Sequence, residues 1–200
     1  MARPRTVSDQ TILEMAREVF LEHGPGTSTE VVAKRLGLSQ AALFKRFGTK
    51  RSLMIAALSP PSAPPFTLRL DSGPSEDPAV QEQLRSLGTD LAQFFSKMVP
   101  NLMCLRAAGV LPEDLLARFD TPPPMVAQQA LSSWLSRAMA QGRLRKSDPS
   151  ALAYALLGAF HMKVFVSHLS RRPLSPEELS SYAEDVVDAL WGGLNPVEST

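Results

Sequence analysis

Ser28-Thr-Glu-Val-Val-Ala-Lys-Arg-Leu-Gly-Leu-Ser-Gln-Ala-Ala-Leu-Phe-Lys-Arg-Phe47 is the stretch from which the rest of the chain can be read. Thr27-Ser-Thr-Glu30 has the form of a capping box, so a helix is predicted to open there and to bury Val31, Val32, Ala33 and Leu36. Gly37 stops it. After the turn Gly37-Leu38-Ser39, Ser39 is the expected N-cap of a second helix that turns Leu43 and Phe47 inward. Two short helices joined by a tight Gly turn form a helix-turn-helix, whose second helix can stand proud and enter a major groove.

The residue types suit that groove. Gln40 falls in the first turn of the second helix and can pair bidentately with adenine. Ala41 and Ala42 are small enough for close approach, and Phe44 sits beside them. Lys45, Arg46 and Lys50 are placed to meet flanking phosphates, as are the hydroxyls of Thr27, Ser28 and Thr29 at the start of the first helix. From Ser28 to Leu58 there are six basic residues and one acid, Glu30. Residues 1–58 carry nine Lys/Arg, Arg3 and Arg5 among them, against five Asp/Glu; the remainder carries twelve against fifteen. A polyanion is thus drawn to one end of the chain, although a surplus this size also occurs on ordinary solvated faces.

Upstream, Ile12, Leu13, Ala16, Val19 and Phe20 share one face of a helix over about 8–23, which Gly24-Pro25 ends. Downstream, Gly48-Thr49 precedes a helix from Lys50 that buries Leu53, Met54 and Ala57. Six prolines fall within residues 59–78, which predicts a linker or mobile loop without regular helix. Beyond it, helices are expected over about 79–98, 101–118, 124–142, 148–169 and 176–191. Asp148 is the predicted cap of the fourth, and Ser175-Pro-Glu-Glu178 opens the last with a capping box. No alternating strand pattern occurs, so the fold class is all-α. The expected organisation is a helix-turn-helix domain over 1–58, a Pro-rich segment over 59–78, and a helical domain over 79–200.

At 200 residues and 44% hydrophobic, the composition is that of an ordinary globular chain. The sequence has no signal-peptide pattern at its start and no uncharged apolar run of about 18 residues, and Cys104 is its only cysteine. These features lead to the expectation of a cytoplasmic protein without membrane contact. No metal-ligand spacing, phosphate loop or nucleophile elbow is found, so an enzyme is not expected, and no cofactor or metal is called for.

Taken together, the residues around Ser28–Phe47 and the following Gly-Thr-Lys-Arg-Ser-Leu-Met54 resemble the TetR family signature over about residues 8–58. Val32-Ala33 match its aliphatic-Ala pair, Gly37-Leu38-Ser39 its turn, and Lys50 the lysine that opens its fourth helix. Phe44 stands where that family usually has Tyr, and Arg46 where His or Tyr is common. The resemblance implies a regulator, expected to be a repressor released from palindromic double-stranded DNA by a small effector, with a helical effector-binding and dimerisation domain. An activator, a ligand-independent regulator or a helical adaptor for protein remain alternatives.

Within that implied domain, the segment 151–166 is apolar nearly all round and needs cover on every side. With the last helix it is expected to pair with a second copy of the chain through Leu152, Leu156, Tyr182, Val186 and Leu190. Phe94, Met98, Met103, Met125, Trp134, His161 and Phe165 are candidates for binding a small apolar or amphipathic effector, and each is equally at home in a plain core. Cys104 reads as a small buried hydrophobe.

Overall fold

The computed structural model describes residues 7–194, so Arg3 and Arg5 lie outside the described residues. Ten helices and no strands occur among the described residues: α1 Asp9–His23, α2 Thr29–Arg35, α3 Gln40–Phe47, α4 Lys50–Leu58, α5 Thr67–Asp71, α6 Val80–Ala107, α7 Pro112–Leu116, α8 Pro123–Ala140, α9 Pro149–Leu169 and α10 Pro176–Leu194. The chain is all-α, as its patterning predicts. It divides into two compact units, one running to Pro60 and including Pro100–Arg118, the other formed by Pro61–Val99 and the residues from Phe119 onward.

In the first unit every short helix starts on a hydroxyl. Ser8, Ser28, Ser39 and Thr49 accept from the backbone N–H of Thr11, Glu30, Ala42 and Ser52 respectively. Each cap satisfies an N–H that the helix itself leaves unpaired and contributes about 1 kcal/mol. The capping box expected on Thr27 is shifted by one residue. Ser28 is the cap, and the Thr27 hydroxyl instead donates to the carbonyl of His23 at 3.0 Å, fastening the turn after α1. Gly24, Gly37 and Gly48 take positive φ, where a Cβ would be strained.

Ile12, Ala16, Val19, Phe20, Val32, Leu43, Leu53, Ala57 and Leu58 are wholly buried, and Cys104, Leu105, Val110 and Leu115 close the same core. This is why Pro100–Arg118 groups with the first unit rather than with the rest of residues 79–200: a helical unit of about sixty residues has little surface to bury alone and gains cover from the added segment. Arg17 donates to the carbonyl of Ala57 at 2.9 Å, supplying a partner at the end of α4.

The second unit shows two departures from the sequence expectation. The Pro-rich stretch is not free of helix: Phe66, Thr67 and Leu70 are buried, and α5 occupies the proline-free gap between Pro65 and Pro74. The stretch is also tied down. Arg137 donates to the carbonyl of Leu70, and the Gln83 side chain takes the N–H of Ser75 at 3.0 Å while donating to the carbonyls of Ser75 and Pro78. The second departure is Pro100, expected to separate two helices but lying inside α6. One lost N–H does not stop a helix whose adjoining turns bury Met98, Val99 and Leu105.

Helix α9 starts on Asp148, whose carboxylate accepts from the N–H of Ser150 and Ala151. Helix α10 starts on a reciprocal box: Glu178 N–H donates to Ser175 Oγ at 3.2 Å, and Ser175 N–H to Glu178 Oε2 at 2.9 Å. By length and composition α9 would suffice to cross a membrane, with a mean hydropathy of 1.3 over its most apolar window. The search for uncharged runs overlooks it because Lys163 interrupts the stretch.

Candidate nucleic-acid interface

Helices α2 and α3 are locked by backbone bonds across the turn. Leu36 N–H donates to Val32 and Ala33, Gly37 N–H to Lys34, and Leu38 N–H to Ala33 at 2.9 Å. With Leu43 wholly buried and Phe47 partly so, the opposite side of α3 is left open. Gln40, Ala41, Phe44 and Lys45 are exposed there, at the i, i+1, i+4, i+5 spacing of one helical face.

The predicted contact residues do not all share that face. Ser28 and Ser39 are exposed and serve as caps. Ala42 is half-buried. Thr29 is 2% exposed, so it offers no hydroxyl to an outside phosphate; it accepts a hydrogen bond from Gln40 Nε2 at 2.8 Å. Arg46 turns away from the open face, donating to the Val7 carbonyl at 2.6 Å and pairing with Asp9.

The arginines of this region are engaged with acids. Arg35 pairs with Glu22 at 2.8 Å, and that hydrogen bond, with the nearby charges of Arg35 and His23, holds the Glu22 carboxyl below its usual range against a small opposing desolvation. Arg51 pairs with Asp114 at 3.6 Å. Lys34, Lys45 and Lys50 form no ion pair among the described residues. The cationic field available to an outside anion therefore rests on the lysines. Sequence spacing could not separate the two sets, because their partners lie on other helices.

In the second unit a cavity of about 450 Å³ lies between the α5 region, α6 and α8, lined by Arg69, Leu70, Glu82, Ser86, Leu87 and Trp134 among others. Of the seven effector candidates it includes Trp134. Phe94 belongs instead to an aromatic row, edge-on to Phe66 at 5.5 Å and to Phe95 at 5.4 Å; His161 stands edge-on to Phe95 and stacks on Phe165. Met98 is buried in the core, Met125 is exposed to solvent, and Met103 belongs to the first unit, so these three are not gathered around the cavity. Arg69, Glu82 and Ser86 were missed because a polar lining leaves no apolar signature in sequence.

The subunit-contact candidates also divide. Leu156 is 3% exposed and faces the chain's own core, which takes it out of any interface. Leu152, Val186 and Leu190 are half-buried. Tyr182 is half-buried as well, its hydroxyl donating to the Ala159 carbonyl and its ring lying 4.8 Å from Lys163 Nζ. The open apolar stripe of α9 is instead Tyr154, Ala155, Gly158, Met162, Val166 and Leu169. The expected interface had the right helix and the wrong face.

Residues 12–57 match the family described as bacterial regulatory proteins, tetR family. Residues 82–191 match the C-terminal domain of AefR-like transcriptional repressors. Among solved structures, a TetR-family regulator from Mesorhizobium loti is similar with a TM-score of 0.72 at 18% identity, over 94% of this chain and 96% of its own. One from Pectobacterium atrosepticum gives 0.62 at 21% identity, over 93% of each chain. NalD, the secondary repressor of a multidrug efflux pump in Pseudomonas aeruginosa, gives 0.58 at 23% identity, over 92% of this chain and 94% of its own. No curated protein matches the sequence. Regulators of this kind bind DNA and are not enzymes. With its reading head and more than half of its length matched, the chain belongs to the TetR family of bacterial transcriptional regulators.

Proposed function

We propose that the protein is a cytoplasmic homodimeric repressor that reads a two-fold symmetric operator with α3 and leaves it when a small amphipathic molecule binds the second unit. The observation that carries this reading is the open face of α3, where Gln40, Ala41, Phe44 and Lys45 stand out while Leu43 fixes the helix from behind. Lys45, Lys50 and Lys34 supply the phosphate contacts. Repression is favoured over activation by the match of residues 82–191 to a repressor domain.

The stripe Tyr154–Leu169 on α9, with Val186 and Leu190 of α10, is the surface for the second copy. An apolar stripe on a helix that would otherwise face water is best covered by its own symmetry mate. The cavity beside Trp134 is the effector site. Its lining combines Arg69, Glu82 and Ser86 with Leu70, Leu87 and the indole, which suits a ligand with both flat apolar and hydrogen-bonding parts. A ligand that prefers the form with mis-spaced reading helices shifts the dimer off DNA.

Selection from random duplex DNA tests the reading. The expected product is a palindrome whose half-sites lie about 34–36 Å apart, one turn of B-DNA. Binding should weaken steeply with salt. Recovery of no sequence preference, or binding indifferent to salt, would refute it.

A further inference from the structure

We propose that Thr29 is a positioning residue for base reading: its buried hydroxyl holds the Gln40 side chain with its adenine-complementary edge turned outward. The proposal rests on the reading of α3 as the DNA-facing helix, and concerns how that helix obtains its selectivity.

Thr29 is the first residue of α2 and Gln40 the first of α3. Their side chains meet across the turn, Gln40 Nε2 donating to Thr29 Oγ1 at 2.8 Å. Thr29 is 2% exposed while Gln40 is exposed, so the bond anchors a mobile surface side chain to a fixed interior point. The Thr29 hydroxyl has no part in capping, since Ser28 Oγ already serves the start of α2.

The chemistry follows from the shape of an amide. Its NH2 carries two hydrogens, one on the same side as the carbonyl oxygen and one on the far side. A bidentate contact with adenine uses the oxygen and the same-side hydrogen, accepting from N6 and donating to N7. The far-side hydrogen is superfluous to that contact and is the one a neighbouring acceptor can take without blocking it. Thr29 Oγ1 is such an acceptor. An unrestrained glutamine has three side-chain torsions to fix on binding, and rotation of its amide presents the wrong edge; anchoring lowers that entropy cost before DNA arrives.

The test is selection from random duplexes with the full-length protein, followed by competition binding for the wild type, Thr29→Val, Thr29→Ser and Gln40→Ala, with thermal melts alongside. Valine keeps the shape of threonine and removes the acceptor; serine keeps the acceptor. We expect T29V to lose about tenfold of its preference at one symmetric base pair, the pair that Q40A also loses. Its salt slope and its preference elsewhere should stay as in the wild type. T29S should retain the preference. Should T29V fail to fold, Thr29→Ala is read in the same assay with the same expectation. A T29V protein that keeps the full preference overturns the proposal alone, as does a T29S protein that loses it equally, since packing would then be what matters. A wild type that selects no sequence overturns the DNA reading and this proposal with it.

Discussion

Gly88 of α6 lies so close to Phe160 of α9 that a Cβ built on it would stand 2.8 Å from the ring Cζ and 3.1 Å from the Cβ of Ala183 in α10. Phe160 is wholly buried and is held edge-on by Tyr182 at 5.9 Å, so its ring has no room to retreat. Alanine gains about 1 kcal/mol over glycine as a helix former. Overpacking a fixed core costs about 1–3 kcal/mol. The second effect should prevail, and Gly88→Ala should lower the melting temperature by a few degrees when followed by circular dichroism. An unchanged or raised melting temperature would show that the three helices can spread.

Lys45→Ala and Lys50→Ala should each weaken binding to every duplex and make the slope of log K against log salt shallower by about 0.9. Arg46→Ala should behave differently. Its guanidinium is committed to Val7 and Asp9, so its removal should cost stability and leave the slope nearly unaltered. Fluorescence anisotropy at several salt concentrations separates the cases.

Met162→Glu should yield monomers. The side chain is 56% exposed in the single chain, so a carboxylate there is tolerated in isolation and is costly only when a second copy covers it. Sedimentation velocity should show the loss of the dimer, and operator affinity should fall with it. Leu156→Ala should instead unfold the chain at lower temperature, because its cavity opens inside the core.

Asp148→Ala should lower stability by about 1 kcal/mol, since two backbone N–H groups at the start of α9 lose their acceptor. Asp148→Asn should cost less. Urea denaturation resolves a difference of this size.

Burial pushes the Cys104 thiol above its ordinary pKa. The folded chain then keeps this proton to higher pH than the unfolded chain. The stability linked to it is complete below the ordinary thiol value and is lost as pH rises toward the folded one. Cys104→Ala should remove that part of the alkaline loss, and a thiol reagent should label Cys104 slowly until urea is added.

Much of the reading head was legible in the residues because its determinants are local. Ser39, Gly37 and the Leu43/Phe47 pair act within two helical turns of one another, so their pattern survives in the linear sequence. The caps on Asp148 and Ser175 were legible for the same reason. What could not be read involves partners distant along the chain. Arg46 and Lys45 are neighbours in sequence, yet one is bound to Val7 and the other stands open. Leu156 and Tyr154 are both apolar residues of one helix, and burial by other helices assigns them to opposite sides.

The sequence by itself determined that the chain is all-helical, that a helix-turn-helix lies near its start, and which turns and caps delimit it. Those follow from residue propensity and hydrophobic period, which are properties of short segments. Only the tertiary structure decided which cations remain available, that α6 carries Pro100 in its interior, which face of α9 is open, and that Thr29 is a buried anchor for Gln40. These depend on which surfaces meet, and long-range burial is set by the whole core rather than by any one stretch. The stretch Ser28–Phe47 thus specified a reading helix, and the packing behind it decided which of its side chains can read.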